Sequence, residues 1–164
     1  MTTQRSLLFL WALLFPATIA LATSNYQYGS DEYVTIASGI SPNGKYAITA
    51  HGEGEYGYDN FHIFLTDAVT GKKISPLEEI VETLDTGAGA FCANWSKDSQ
   101  HVVIIYRIDR HAPLKAVSYQ IEKGQARLIK GPIDVTSEEQ ISYWQNHCSQ
   151  LKPSEKTFGT PLAH

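Results

Sequence analysis

The feature of this chain that most constrains its fold is an internal repeat. Residues 41–48 read SPNGKYAI, and 55 positions later residues 96–103 read SKDSQHVV. Each copy is a polar turn that leads into a strand-forming run and is followed by further strand and turn signals. Because self-similarity at a fixed spacing indicates repeated supersecondary units, we predict an all-β fold of two four-stranded antiparallel units, at about 33–75 and 90–130.

The strand pattern within each unit supports this prediction. Residues 45–51 and 61–67 alternate between apolar and polar side chains, which is typical of half-buried strands. Residues 100–108 are apolar on both faces, so this strand is expected to be covered on both sides. Gly71 and Gly124 occupy corresponding hairpin turns. The linker between the units, 76–89, is either irregular or contains a helical turn at 77–84.

The C-terminal part changes from strand to helix patterning. Residues 136–139 read TSEE, a capping-box sequence. A helical stripe follows, made of Ile141, Trp144, Cys148 and Leu151. We therefore predict one helix at about 137–150, which completes a domain over 23–152. Residues 153–164 contain two prolines and one glycine and are predicted to form a flexible tail.

The N-terminal residues 1–22 are predicted to be a signal peptide that is cleaved after Ala22. Arg5 precedes an apolar run at 7–21, and small residues stand at Ala20 and Ala22. An uncleaved anchor is the alternative. The mature protein is then secreted or periplasmic. The formal net charge of −4 becomes more negative when Arg5 is removed, which argues against nucleic acid or a membrane surface as partners.

The two cysteines, Cys92 and Cys148, are predicted to form a disulfide. An exported protein with two cysteines normally pairs them. The bond would close a loop of about 55 residues and contribute about 4 kcal/mol. Two buried free thiols are the alternative.

The turns resemble those of TolB-type and WD-repeat β-propeller blades. The resemblance is carried by residues 41–46, by DAVTG at 67–71 and by WSKDS at 95–99, and it covers about 33–130. It implies a scaffold for protein contacts or for a ligand on a central axis, and no catalytic residue comes with it. Propellers have about 4–8 blades. Two units therefore imply either a self-contained domain, which we favour, or a ring completed by homo-oligomerisation.

Two loops are the candidate partner-binding surface. The first, 51–60, carries Tyr56, Tyr58 and Asp59, and the corresponding loop of the second unit carries Arg110 and His111. Exposed tyrosines beside glycine offer rigid contact area at a low entropic cost. Because both loops follow the second strand of their unit, we expect them to share one rim. The alternatives are rings that fold back onto the sheet and two unrelated hairpin tips.

A divalent metal site is the alternative function. If the second strand continues, His51, Glu53 and Glu55 share a face, and His62 lies nearby. That set would suit a metal-binding protein or a metal-dependent hydrolase, whereas a solvated acidic loop would carry no metal.

The leading prediction is a non-enzymatic binding module without a cofactor, whose partner is a protein or a small ligand. Ser96, Asp98 and His101 have the residue types of a catalytic triad, but no G-x-S-x-G elbow accompanies them. Ser96 and Asp98 are therefore assigned to a turn.

Overall fold

The computed structural model describes residues 26–81, 83–109, 111–148 and 156–162. The predicted signal peptide lies outside these ranges, as does Arg110. The described chain is an all-β fold with a C-terminal helix, which confirms the predicted class. None of the helices in the described ranges is long and apolar enough to cross a membrane.

The predicted strand positions are confirmed to within a few residues. The strands are β1 (Tyr33–Ile40), β2 (Tyr46–Glu53), β3 (Asp59–Asp67), β4 (Lys73–Pro76), β5 (Phe91–Trp95), β6 (His101–Arg107), β7 (Leu114–Glu122), β8 (Gln125–Asp134) and the short β9 (Thr157–Phe158). Two 3-10 turns, Glu55–Gly57 and Ala88–Ala90, precede β3 and β5. Helix α1 is Glu138–His147.

The strands form one sheet in the order β4-β3-β2-β1-β5-β6-β7-β8. Neighbours within β1–β4 and within β5–β8 are antiparallel, whereas β1 and β5 are parallel and meet at Ala37 and Cys92. This parallel pairing places corresponding connections at the same end of the sheet. We call the end with the β2–β3 and β6–β7 connections the loop end, and the end with the β1–β2, β3–β4, β5–β6 and β7–β8 connections the turn end.

The internal repeat is reproduced by the hydrogen bonds of its two turns. Ser41 donates its backbone N–H to the carbonyl of Tyr46 at 2.9 Å and accepts the Tyr46 N–H on its Oγ at 2.9 Å. Ser96 makes the same two bonds with His101, also at 2.9 Å each. Ser96 therefore has the structural role that the sequence assigned to it.

The two turns also contact each other. Gly44 and Ser99 hold the corresponding left-handed positions, with φ of 68° and 60°. Ser99 Oγ is buried and accepts the Asn43 N–H at 3.1 Å. Strands β1–β4 and β5–β8 are therefore joined at the turn end as well as along β1 and β5.

One face of the sheet encloses the main core. Its large, fully buried side chains include Ile36, Ile48, Ile63, Leu65, Phe91, Ile104 and Tyr119. The opposite face of β5–β7 packs under α1, in a second cluster of Cys92, Ile105, Ala116, Trp144 and Cys148. The expectation that β6 is covered on both sides is thus confirmed.

Helix α1 is held to the sheet as the cysteines predict, because Cys92 and Cys148 form a disulfide. The helix begins one residue later and ends earlier than the expected 137–150. Ser137 is the N-cap residue but makes no side-chain cap hydrogen bond. Leu151 of the predicted stripe lies outside the described residues.

Within the predicted flexible tail at 153–164, the described residues 156–162 include the short strand β9. β9 pairs with the first residues of β1, and the Lys156 carbonyl accepts the Thr35 N–H at 2.9 Å. Thr35, Thr49 and Thr66 are fully buried. They lie on the face of β1–β3 that is opposite the main core, and the Thr49 and Thr66 hydroxyls lie 2.8 Å apart. Buried polar groups need partners, and the C-terminal segment supplies one by covering this polar face.

Candidate functional site

The β2–β3 loop presents two tyrosines at the loop end. The side chains of Tyr56 and Tyr58 are 48% and 46% exposed, and their ring centroids lie 6.4 Å apart. Gly57 has φ of 70°, and a Cβ on it would stand 2.7 Å from the Tyr26 carbonyl oxygen. The loop therefore packs closely against the N-terminal segment through its backbone while the two rings remain at the surface.

The linker segment 83–86 connects the two predicted loops. Thr86 donates its hydroxyl to the Tyr56 carbonyl at 2.7 Å. Leu84 and Asp85 donate their N–H groups to the Ile108 carbonyl at 2.9 and 3.0 Å. The β2–β3 and β6–β7 connections therefore lie on one rim, as their positions in the repeat predict, and a single segment fixes their separation.

Asp59 and His111, two of the remaining predicted partner-binding residues, lie at the same end. Asp59 is exposed at the start of β3. Asp109 Oδ1 accepts the N–H groups of His111 at 2.7 Å and Ala112 at 3.1 Å, which closes the β6–β7 turn and leaves His111 exposed. Arg110, between them, lies outside the described residues.

The linker adds two exposed apolar side chains that the sequence reasoning missed. Val81 is 51% and Leu84 is 62% exposed. Residues 77–80 form a turn, closed by the Ile80 N–H on the Leu77 carbonyl at 3.1 Å, and no helix. The same linker contains the buried apolar residues Leu77 and Ile80, so the sequence alone does not distinguish the exposed pair from them. We call the set Tyr56, Tyr58, Asp59, Val81, Leu84 and His111 the loop-end surface.

A buried carboxylate supports the loop-end surface from below. Glu32 is fully buried and accepts the Tyr26 hydroxyl at 2.8 Å and the Gly29 N–H at 2.9 Å. Burial, reinforced by the bond to Glu32, raises the pKa of Tyr26 to about 12. Burial also raises the pKa of Tyr28, which donates its hydroxyl to the Thr86 carbonyl. Both phenols thus remain protonated donors at neutral pH, and the segment 26–32 anchors the loop and the linker.

The four predicted metal ligands do not form one group, although His51 and His62 are cross-strand partners on β2 and β3. His51, Glu53, Glu55 and His62 lie in β2, in a 3-10 turn and in β3. A register shift between His51 and Glu53 interrupts the alternation on which the prediction depended. Across the described ranges, no three His, Cys, Asp or Glu side chains lie close enough together to hold a metal ion.

His51 and Glu53 each have another partner in the structure. His51 is buried, and its Nδ1 is 2.5 Å from the Glu32 carbonyl oxygen, with its ring 4.6 Å from that of Tyr33. Glu53 is exposed and accepts the Asn60 side-chain amide at 2.8 Å. His51 thus contributes to the support of the loop end.

The side chains of the loop-end surface are of the types that make noncovalent contacts with another molecule. Phenol rings and aliphatic side chains at partly exposed positions suit an amphipathic protein surface, since aromatic residues are enriched in the cores of interfaces. No family model, no curated protein and no solved structure matches the chain.

Proposed function

We propose that this protein is an exported, non-enzymatic binding module that captures a protein partner with its loop-end surface. The observation that carries the proposal is the exposure of Tyr56, Tyr58, Val81 and Leu84, which lie in the β2–β3 loop and in the linker that is hydrogen-bonded to both loops. Exposed apolar patches of this kind mark interaction sites. Tyrosine rings add contact area with few rotatable bonds.

The supporting hydrogen bonds favour binding with little rearrangement. The β2–β3 loop is bonded to Thr86, and the linker is bonded to Ile108. A surface fixed before binding loses less conformational entropy when the partner docks. The buried Glu32 beneath it, with its two hydrogen bonds, adds to this rigidity.

The scaffold in this proposal is a pair of TolB-type or WD-like blades that closes its own core in one chain. The antiparallel order within β1–β4 and within β5–β8 supports it, as do the matching turns at Ser41 and Ser96. The cover supplied by α1 and by residues 156–162 favours a monomer over a ring of several copies. Export is supported by the signal-like residues 1–22 and by the disulfide, since disulfides persist in oxidising compartments.

Site-specific photo-crosslinking in the native host tests the proposal. A photoreactive phenylalanine analogue is placed at Leu84 and, in a matched control, at Val69, which is 77% exposed but lies in the β3–β4 connection at the turn end. We expect a discrete crosslinked protein from position 84 that excess unlabelled protein suppresses, and none from position 69. Equal crosslinking at both positions, or none at position 84, would contradict the proposal.

A further inference from the structure

A second site lies at the turn end, opposite the loop-end surface. A cleft of about 720 Å³ opens there between the two repeated turns and the β7–β8 turn. Its lining includes Asn43, Lys45, Asp98, Gln120, Glu122 and Lys123, and we call it the turn cleft. Its volume falls within the range of about 300–1,000 Å³ that is typical of small-molecule sites.

The acidic groups of the turn cleft are already engaged by the protein. Asp98 Oδ1 accepts the Ser96 hydroxyl at 2.5 Å and the Gln100 N–H at 3.0 Å. These bonds hold the pKa of Asp98 below its ordinary value. Glu122 forms an ion pair with Arg127 at 3.2 Å. Both carboxyl groups therefore already have partners within the fold.

The amide oxygens of the turn cleft are engaged in the same way. Asn43 Oδ1 accepts the Ser41 hydroxyl at 2.9 Å and the Lys45 N–H at 3.0 Å. Gln120 Oε1 accepts from Arg127 Nη2 at 2.7 Å. Both side chains also have N–H₂ groups, which are donors only and can bind a ligand.

Two of the groups left for a ligand are cationic. The ammonium groups of Lys45 and Lys123 make no ion pair or hydrogen bond with the described part of the chain. The lining holds Lys45 and Lys123 against Asp98 and Glu122, and Glu122 is already paired with Arg127, which lies outside the lining. With Glu122 neutralised in this way, two ammonium groups stand against the single carboxyl group of Asp98.

We propose that the turn cleft binds a small anionic polyol, such as a sugar acid or a sugar phosphate. The ammonium groups of Lys45 and Lys123 bind the anionic group through charge-assisted hydrogen bonds. The side-chain N–H₂ groups of Asn43 and Gln120 donate to the hydroxyl oxygens. A neutral polyol meets the same amides but leaves the two ammonium groups without a counter-charge, so the site selects for the anion. This site is separate from the loop-end surface and does not depend on the proposed protein partner.

An NMR titration of the ¹⁵N-labelled mature protein tests the site with three probes: glucuronate, glucose 6-phosphate and neutral glucose. We expect saturable shifts of the amide signals of residues 43–45, 98–100 and 122–124 with at least one anion, and no such shifts with glucose. Saturation by glucuronate alone identifies a carboxylate ligand, and saturation by glucose 6-phosphate alone identifies a phosphate ligand. No saturable shift with either anion, or equal binding of glucose, would overturn the assignment.

Lysine variants identify the residues that hold the anion. Lys45→Ala combined with Lys123→Ala should weaken anion binding by at least about tenfold. Lys72→Ala, which removes an exposed lysine from the β3–β4 turn outside the cleft, should leave it unchanged. The amide spectrum of each variant reports its fold in the same experiment. Unchanged affinity in the folded double variant, or an equal loss in Lys72→Ala, would contradict the proposal.

Discussion

Replacing Cys92 and Cys148 together by alanine is expected to lower the free energy of unfolding by about 4 kcal/mol. The disulfide spans a sequence separation of 56 residues, and closing a loop of this size restricts the unfolded chain strongly. Its two cysteines also lie in the cluster that joins α1 to β5 and β6. A domain of ordinary stability, about 5–15 kcal/mol, would therefore lose a large part of it.

Urea unfolding followed by tryptophan fluorescence measures this effect, because Trp144 lies in the same cluster as the disulfide. Reduction of the wild-type protein should reproduce the loss, which separates the bond itself from the two side-chain changes. Val69→Ala, at an exposed position, serves as a control and should change stability by less than about 0.5 kcal/mol. A loss below about 1 kcal/mol in the alanine pair would contradict the role assigned to this bond.

Phe91→Ala is expected to destabilise the protein by about 3–5 kcal/mol. Phe91 is fully buried at the start of β5, with its ring centroid 5.8 Å from that of Tyr106 and 5.7 Å from that of Phe61. Removing the ring leaves a cavity where the two units meet, and both aromatic contacts are lost. Phe91→Leu keeps most of the volume and should cost clearly less.

This prediction is tested by comparing the denaturant midpoints of unfolding of Phe91→Ala, Phe91→Leu and Leu84→Ala. Leu84 is a large apolar residue at an exposed position, so its truncation should change stability by less than about 0.5 kcal/mol. Such a result would show that Leu84 contributes little to folding, as expected for a contact residue. Equal losses in Phe91→Ala and Leu84→Ala would contradict the assignment of the core.

The sequence predicted those parts of the fold that depend on local patterns. The turns at Ser41 and Ser96 are specified by residues within a few positions, and they form as expected. The apolar residues on both faces of β6 identified a strand that is covered on both sides. The two cysteines identified the disulfide that joins α1 to the sheet. Each of these signals is contained in a short segment or in one residue type.

The pairings that join distant segments left no local signal. β9 has only two residues, Thr157 and Phe158, and it forms because β1 and the buried threonines need partners there. The parallel contact of β1 with β5 arises from the way that the two units pack, and neither strand's pattern specifies it. The register shift between His51 and Glu53, which interrupts the alternation expected for the metal ligands, is likewise a property of the paired strands.

The loop-end surface was predictable in part. Tyr56 and Tyr58 stand out in the sequence because they flank a glycine in a polar loop, and they are exposed as expected. Val81 and Leu84 do not stand out, because their spacing also suits a helical turn. Their positions follow from the hydrogen bonds of the linker to Ile108, which a local pattern does not encode.

The most direct test of the central claim uses the partner that is captured by crosslinking at position 84. The measurement is the affinity between this partner and the Tyr56→Ser/Tyr58→Ser variant. Both tyrosines are nearly half exposed, so the variant should keep its fold. Two aromatic contact residues worth about 2 kcal/mol or more each predict a loss in affinity of at least about 100-fold. Val69→Ser should bind as the wild type does. Wild-type affinity in the folded double variant would contradict the claim that the loop-end surface is where this protein binds.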